Sequence, residues 1–152
     1  MDKIDRKLLA LLQDDADRPL NELAEAVHLT PTPCWKRIQR LQREGVIRKK
    51  VVLCEPAKLN LGLTAFVAVR TTQHSDAWLK KFAAAVQTIP EIVEAYRMSG
   101  DIDYMLRIVV PDIAGYDAVY RRLIRAVELS DVSSSFAMER IKYSTALPVD
   151  FA

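Results

Sequence analysis

Apolar residues recur at helical spacing from the first turn of the chain. Ile4, Leu8, Leu11 and Leu12 share one helical face, and the pattern ends in the polar run Asp14-Asp15-Ala16-Asp17-Arg18-Pro19. Leu20, Leu23, Ala24 and Val27 repeat it over a shorter stretch. His28-Leu29 predicts a tight connection. Thr30 is then placed to cap a third helix, with Pro31 at its first position, where a missing N–H is no loss. Cys34, Ile38 and Leu41 form its inward face, and Glu44-Gly45 ends it, glycine suiting the left-handed residue that closes many helices. Val46-Ile47 and Val51-Val52-Leu53 read as two short strands around Arg48-Lys49-Lys50. Three short helices followed by a basic hairpin predict a winged helix-turn-helix.

The polar stretch Glu55-Pro56-Ala57-Lys58-Leu59-Asn60 reads as a link, dividing a unit of residues 1–58 from one of residues 59–152. Beyond it the pattern alternates. Strand-like residues 63–72 precede a helical run over 75–88, a strand over 91–98 and a turn at Ser99-Gly100-Asp101. A strand over 102–110, a helical run over 112–127 and a strand over 131–146 complete the order βαββαβ. That order predicts a ferredoxin-like domain, and the fold class of the whole chain is α+β. Ala65, Val67 and Val69 face one side of the first strand, Phe66 and Ala68 the other. In the third strand Tyr104, Leu106, Ile108 and Val110 oppose Met105 and Val109. Both sheet faces are therefore largely apolar. Two helices cover only one of them, so the other is expected to meet a second copy of the chain.

The net charge of +2 over 152 residues says little, but its distribution says more. Residues 28–58 carry eight basic side chains against two acidic ones, a local charge of +6, whereas residues 61–152 carry ten against eleven. Such a segment suits a polyanion, although a solvated basic helix face explains the charge equally well. No apolar run reaches the roughly 18 residues of a membrane helix, and Met1–Lys7 lacks the apolar run of a secretory signal. A cytoplasmic protein is expected. Cys34 and Cys54 stand apart, without histidine at ligand spacing, so neither a disulfide framework nor a metal site is expected. His28 and His74 are isolated, and no nucleophile–base pair or glycine-rich phosphate loop occurs, so neither enzymatic activity nor a cofactor is expected.

Two segments carry candidate chemistry. A helix fits the DNA major groove with its N-terminal half against the base edges. In the third helix Thr32, Pro33, Lys36, Arg37, Arg40 and Arg43 are expected to face outward, with Thr30 at its start. Lys49 and Lys50, beside Arg48, are expected to add phosphate contacts. Trp35 sits at the edge of the buried face and is expected to pack in the core. The second segment is Met98-Ser99-Gly100-Asp101-Ile102-Asp103-Tyr104. Gly100 can take a positive φ and expose backbone N–H groups, while Asp101 and Asp103 are acceptors. A free amino acid needs donors for its carboxylate and an acceptor for its ammonium. On residues alone, a plain acidic hairpin turn is the simpler reading. Ser133 and Ser134 offer further hydroxyls on the last strand.

Taken in order, several segments resemble the leucine-responsive/asparagine-responsive (feast/famine) transcription regulators. They are Leu8–Gln13, Leu23–Cys34, Gly45-Val46-Ile47, Leu61–Phe66, Gly100–Tyr104, and Ser134-Ser135-Phe136 followed by Lys142-Tyr143. The resemblance spans nearly the whole chain. It implies a regulator of amino-acid metabolism genes that binds double-stranded operator DNA. It also implies a homodimer formed through the C-terminal domain, often assembled into octamers, with an amino-acid effector held near Met98, Gly100, Asp101, Ile102, Asp103 and Tyr104. Cys34-Trp35-Lys36-Arg37 and Ser134–Glu139 are most similar to the cysteine-responsive branch. Two other classes remain open at this point: an architectural protein that wraps DNA with little sequence preference, and a small enzyme built on the ferredoxin-like half.

Overall fold

The first helix opens on a reciprocal cap. In the computed structural model, which describes residues 1–152, the Asp2 side chain accepts from Asp5 N at 2.9 Å, and Asp2 N donates to the Asp5 carboxylate at 3.2 Å. Helix α1 runs Lys3–Asp14, α2 Leu20–Ala26 and α3 Pro31–Arg43. The α2–α3 turn passes through His28 at φ 56°, a left-handed position. Thr30 holds the N-cap position of α3, yet its hydroxyl makes no capping bond. Gly45, at φ 74°, follows the C-terminus. Leu8, Leu23, Ala24, Val27 and Cys34 are buried together, with Ile4, Leu11, Leu12, Leu20, Leu29 and Ile38 around them.

The expected basic hairpin does not form strands. Ile47 N donates to Leu41 O at 3.1 Å, so Val46-Ile47 is spent in closing α3. Val51, Val52 and Leu53 are exposed. A lone two-stranded ribbon has too little burial to hold itself together. Lys50 is instead tied to the α1–α2 loop, its Nζ donating to Ala16 O at 2.6 Å.

The chain divides into two compact units, Met1–Leu53 with Ile141–Ala152, and Cys54–Arg140. The last residues lie on α1: Gln13 Nε2 donates to Leu147 O (3.0 Å), Leu147 N donates to Gln13 Oε1 (2.7 Å), and Arg6 Nη1 donates to Ala152 O (2.7 Å).

The second unit begins with a 3₁₀ turn, Pro56–Leu59, closed by Asn60 at φ 58°. Then follow β1 Leu63–Arg70, α4 Asp76–Thr88, β2 Ile92–Arg97, β3 Tyr104–Val110, α5 Ile113–Ala126 and β4 Asp131–Phe136. The sheet order is β2-β3-β1-β4 with every neighbour antiparallel. This is the ferredoxin-like arrangement expected from the sequence. The last strand is shorter than the expected 131–146. The final register pair with β1 is Ala65↔Phe136, Ala137 N still donates to Thr64 O at 2.9 Å, and β1 begins at Leu63, so a strand continuing to 146 would have no partner.

Ala65, Val67, Val69, Leu106, Ile108 and Val110 pack beneath α4 and α5 against Trp78, Phe82, Val119 and Leu123. Trp78 stacks on Phe82 with centroids 5.1 Å apart, and its Nε1 donates to Glu128 O at 2.8 Å. The opposite sheet face has no helix. It presents Phe66, Ala68, Met105 and Tyr96, crossed by an ion pair in which Arg107 Nε donates to Glu94 Oε1 at 2.9 Å. That face is thus less uniformly apolar than the alternation implied.

Candidate nucleic-acid interface and effector turn

Helix α3 is held to α1 by charge as well as by packing. Asp5 is buried, 1% exposed, and its carboxylate takes Arg37 Nη1 at 2.9 Å and Arg40 Nη2 at 2.6 Å. Arg37 Nη1 also reaches Asp2 Oδ2 at 2.6 Å. The cap bond from Asp5 N, and next the Arg37 guanidinium, hold the Asp2 carboxyl down at about 2. The bond to Asp2, and then that to Asp5, raise Arg37. Burial pushes the Cys34 thiol up against the opposing pull of Arg37, as suits a small packing residue.

These contacts revise the expected outward set. Arg37 and Arg40 turn to the flank of α3 and are part-buried beside α1, rather than standing out from the helix. Pro33 is also half-buried. Trp35, expected in the core, is 51% exposed. The physical reason is angular. At 100° per residue, Pro33, Arg37 and Arg40 fall on one side of the face defined by Cys34, Ile38 and Leu41, the side where Asp5 of α1 meets the two arginines, and Trp35 falls on the other. The exposed stripe is Thr32, Trp35, Lys36, Gln39 and Arg43, at i, i+3, i+4, i+7 and i+11. Gln39 did not figure among the expected residues, though the same angular step points it outward. The stripe joins a hydroxyl, an aromatic face, an amide and two cations. An amide can bond adenine in bidentate fashion, and lysine or arginine can bond guanine or phosphate. Lys49 is exposed, and Lys50 is occupied at Ala16.

The second site is the β2–β3 turn. Gly100 has φ 114°, a conformation that side chains rarely adopt, and a Cβ there would meet nothing within 4 Å. The turn is closed from below. Met98 N donates to Asp103 O at 2.8 Å, and Asp103 N donates to Val69 O at 3.0 Å. Thr71 N donates to Asp103 Oδ2 at 2.8 Å, and Arg70 Nε donates to Asp101 O at 2.7 Å. Arg70 Nη1 also pairs with Asp131 at 2.6 Å, joining the turn to the start of β4. The N–H groups of Gly100, Asp101 and Ile102 carry no bond within the chain. Gly100 and Asp101 are exposed, as is Met98 (41%), whereas Ile102 is half-buried.

The remaining expected effector residues are spread over two sheet faces. The Tyr104 ring packs under the sheet, 4.5 Å from Phe82 and 5.8 Å from Trp78 between centroids. Ser134 faces α5 and bonds the Tyr116 hydroxyl. Ser133, paired with Ala68, lies on the helix-free face. The structure therefore brings Gly100, Asp101 and Asp103 together at the turn, while the Tyr104 ring and Ser134 lie on the helix-covered face of the sheet.

Comparison with known proteins agrees with both halves. Residues 1–42 match the AsnC-type helix-turn-helix domain, and residues 64–147 the Lrp/AsnC ligand binding domain. The DNA-binding transcriptional activator DecR of Escherichia coli is 53% identical over 151 residues, 99% of each chain. The crystal structure of an AsnC family transcriptional regulator from Agrobacterium tumefaciens superposes with a TM-score of 0.96 at 55% identity, covering 99% of each chain. A transcriptional regulator–L-Met complex from Neisseria meningitidis superposes at 0.94 with 33% identity, covering 99% of this chain and 98% of that one. No helix is long and apolar enough to cross a membrane.

Proposed function

The chain belongs to the Lrp/AsnC family, and on that premise we propose that it is a sequence-specific transcription regulator of amino-acid metabolism, working in the cytoplasm under the control of a small amino acid. The observation that carries the DNA half is the exposed α3 stripe, Thr32, Trp35, Lys36, Gln39 and Arg43, on a trihelical unit. Lys49, exposed after it, is read as a phosphate contact, whereas Lys50 reaches phosphate only by leaving Ala16 O. Arg37 and Arg40 approach DNA from the flank. The test is binding of genomic duplex fragments at stated salt, comparing specific with mixed sequence. An affinity ratio near one would favour an architectural DNA protein instead. Lys36→Ala and Gln39→Ala are expected to lower that ratio.

The effector is read at the Gly100–Asp103 turn. Its unbonded N–H groups suit a carboxylate, and the free carboxylate oxygen of Asp103 suits an ammonium. The L-Met complex belongs to a relative, and it supports the chemical class rather than the identity. The resemblance of Cys34–Arg37 and Ser134–Glu139 to the cysteine-responsive branch makes cysteine the first effector to test. A thermal-shift panel of the twenty amino acids decides it, because a ligand that binds only the native state raises Tm. A response to another amino acid alone would keep the site and discard cysteine. The helix-free sheet face, with Phe66, Ala68, Met105 and Tyr96, is read as the surface of a homodimer that assembles further to an octamer. Light scattering of the full chain checks this, and a stable monomer at micromolar concentration would remove it.

A further inference from the structure

The Asp2–Arg37 contact lies on the flank of the DNA-reading helix, and nothing in the fold requires it for packing. Asp5 is buried, already accepts from Arg37, and suffices to anchor that side chain to α1. Asp2 differs, because its side chain is 52% exposed and rests on Arg37 Nη1 at 2.6 Å. Its other role, the helix cap, uses Oδ1 and needs only a neutral oxygen. Its second oxygen, Oδ2, is thus committed to an arginine beside the reading face. Both protein bonds of Arg37 run through Nη1, leaving the Nε–Nη2 edge of the guanidinium without a protein partner. Two carboxylates and two guanidiniums also cancel in charge, so these arginines add little to the attraction of the +6 segment for a polyanion.

We propose that Asp2 is a specificity-determining residue of the DNA interface, competing with backbone phosphate for Arg37 and so suppressing binding to arbitrary sequence. This inference rests on the DNA-binding reading of α3. A phosphate approaching Arg37 meets a guanidinium already neutralised, and the exposed Asp2 carboxylate repels it. A base edge that accepts hydrogen bonds carries no full charge and meets only the open Nε–Nη2 fork. Asp2 therefore weakens the contact common to all DNA more than the contact that reads sequence.

The experiment is Asp2→Asn in the full chain, since asparagine caps a helix as well as aspartate. Affinity for a mixed-sequence duplex is read by fluorescence anisotropy across a salt series. One further phosphate-equivalent contact steepens the slope of log K on log salt by about 0.9, so the affinity lost between 50 and 200 mM salt grows roughly 3.5-fold. Asp2→Asn is expected to show that steeper slope and tighter mixed-sequence binding. In an Arg37→Ala background the same substitution is expected to change nothing. An unchanged slope, or an equal change in the Arg37→Ala background, overturns the proposal, the second outcome marking a general charge effect. Binding is read well below the melting temperature of Asp2→Asn, with circular dichroism checking that the helices are intact, and Asp2→Ser, which also caps, is expected to give the same slope. Failure of the unaltered protein to bind duplex DNA would instead refute the reading beneath the proposal.

Discussion

Removing the charge of Asp5 is the most telling perturbation of the DNA-binding unit. Its carboxylate is 1% exposed and accepts three bonds, from Arg37 at 2.9 Å, Arg40 at 2.6 Å and Asp2 N at 3.2 Å. Asp5→Asn keeps the shape and, with its oxygen at the Oδ2 position, the acceptor for Asp2 N and Arg40, but it removes the negative charge and turns an NH2 group toward Arg37. Breaking a buried pair by removing one partner costs roughly 3–5 kcal/mol when the other charge is trapped. Here the partners are not trapped. The side chains of Arg37 and Arg40 are 26% and 39% exposed, and Arg37 keeps Asp2. The expected loss is therefore smaller, about 2 kcal/mol, the contribution of roughly one hydrogen bond to a charged group (about 1.5–3 kcal/mol). For a unit of this size that lowers Tm by about 8–16 °C. Helix melting of the full chain by circular dichroism measures it. Arg40→Ala alone should destabilise less, since Asp5 then retains Arg37. The Asp5→Asn/Arg40→Ala double variant should lose less than the two single losses combined, because both weaken the same ion pair. A loss below about 0.5 kcal/mol for Asp5→Asn, or strict additivity, would show that desolvation of Asp5 cancels the pairing and refute the account.

Other predictions follow the same contacts. The Asp2 carboxyl is lowered from 3.8 to about 2, so its contribution is complete above about pH 4 and lost as pH falls toward 2. The Tm difference between the unaltered protein and Asp2→Asn should shrink over that window, and a constant difference would refute it. Asp103→Ala should weaken amino-acid binding in calorimetric titration. It should also destabilise the effector unit by about 1–2 kcal/mol, because Thr71 N loses its acceptor; DNA binding without effector should survive. Gly100→Ala should cost about 1–3 kcal/mol from its φ of 114° alone, since no atom of the chain lies within 4 Å of the added carbon. A greater loss of effector affinity than of stability would show that the ligand approaches that backbone.

Much of this protein is determined by its sequence alone. Helical periodicity located all three N-terminal helices, since each buries one stripe and that stripe repeats with the helix turn. Pro31 and Gly45 marked the bounds of α3 because their backbone constraints are local. Alternation and order gave the ferredoxin-like sheet, and Gly100 declared its positive φ. Tertiary structure decided what depends on residues distant in the chain. Arg37 and Arg40 read as free cations until α1 brought Asp2 and Asp5 against them, a separation of more than thirty residues. Val51-Val52-Leu53 has strand composition, but a strand needs a partner, and the chain folds none beside it. The last strand cannot run to 146 because β1 begins at Leu63, which its own residues do not record. Asp103 likewise reads as a ligand group, and only the return of Thr71 beside it shows that one oxygen is already engaged. Local backbone preference and periodicity are written residue by residue. Pairing of charges, strands and buried polar atoms is a property of positions that only folding brings together.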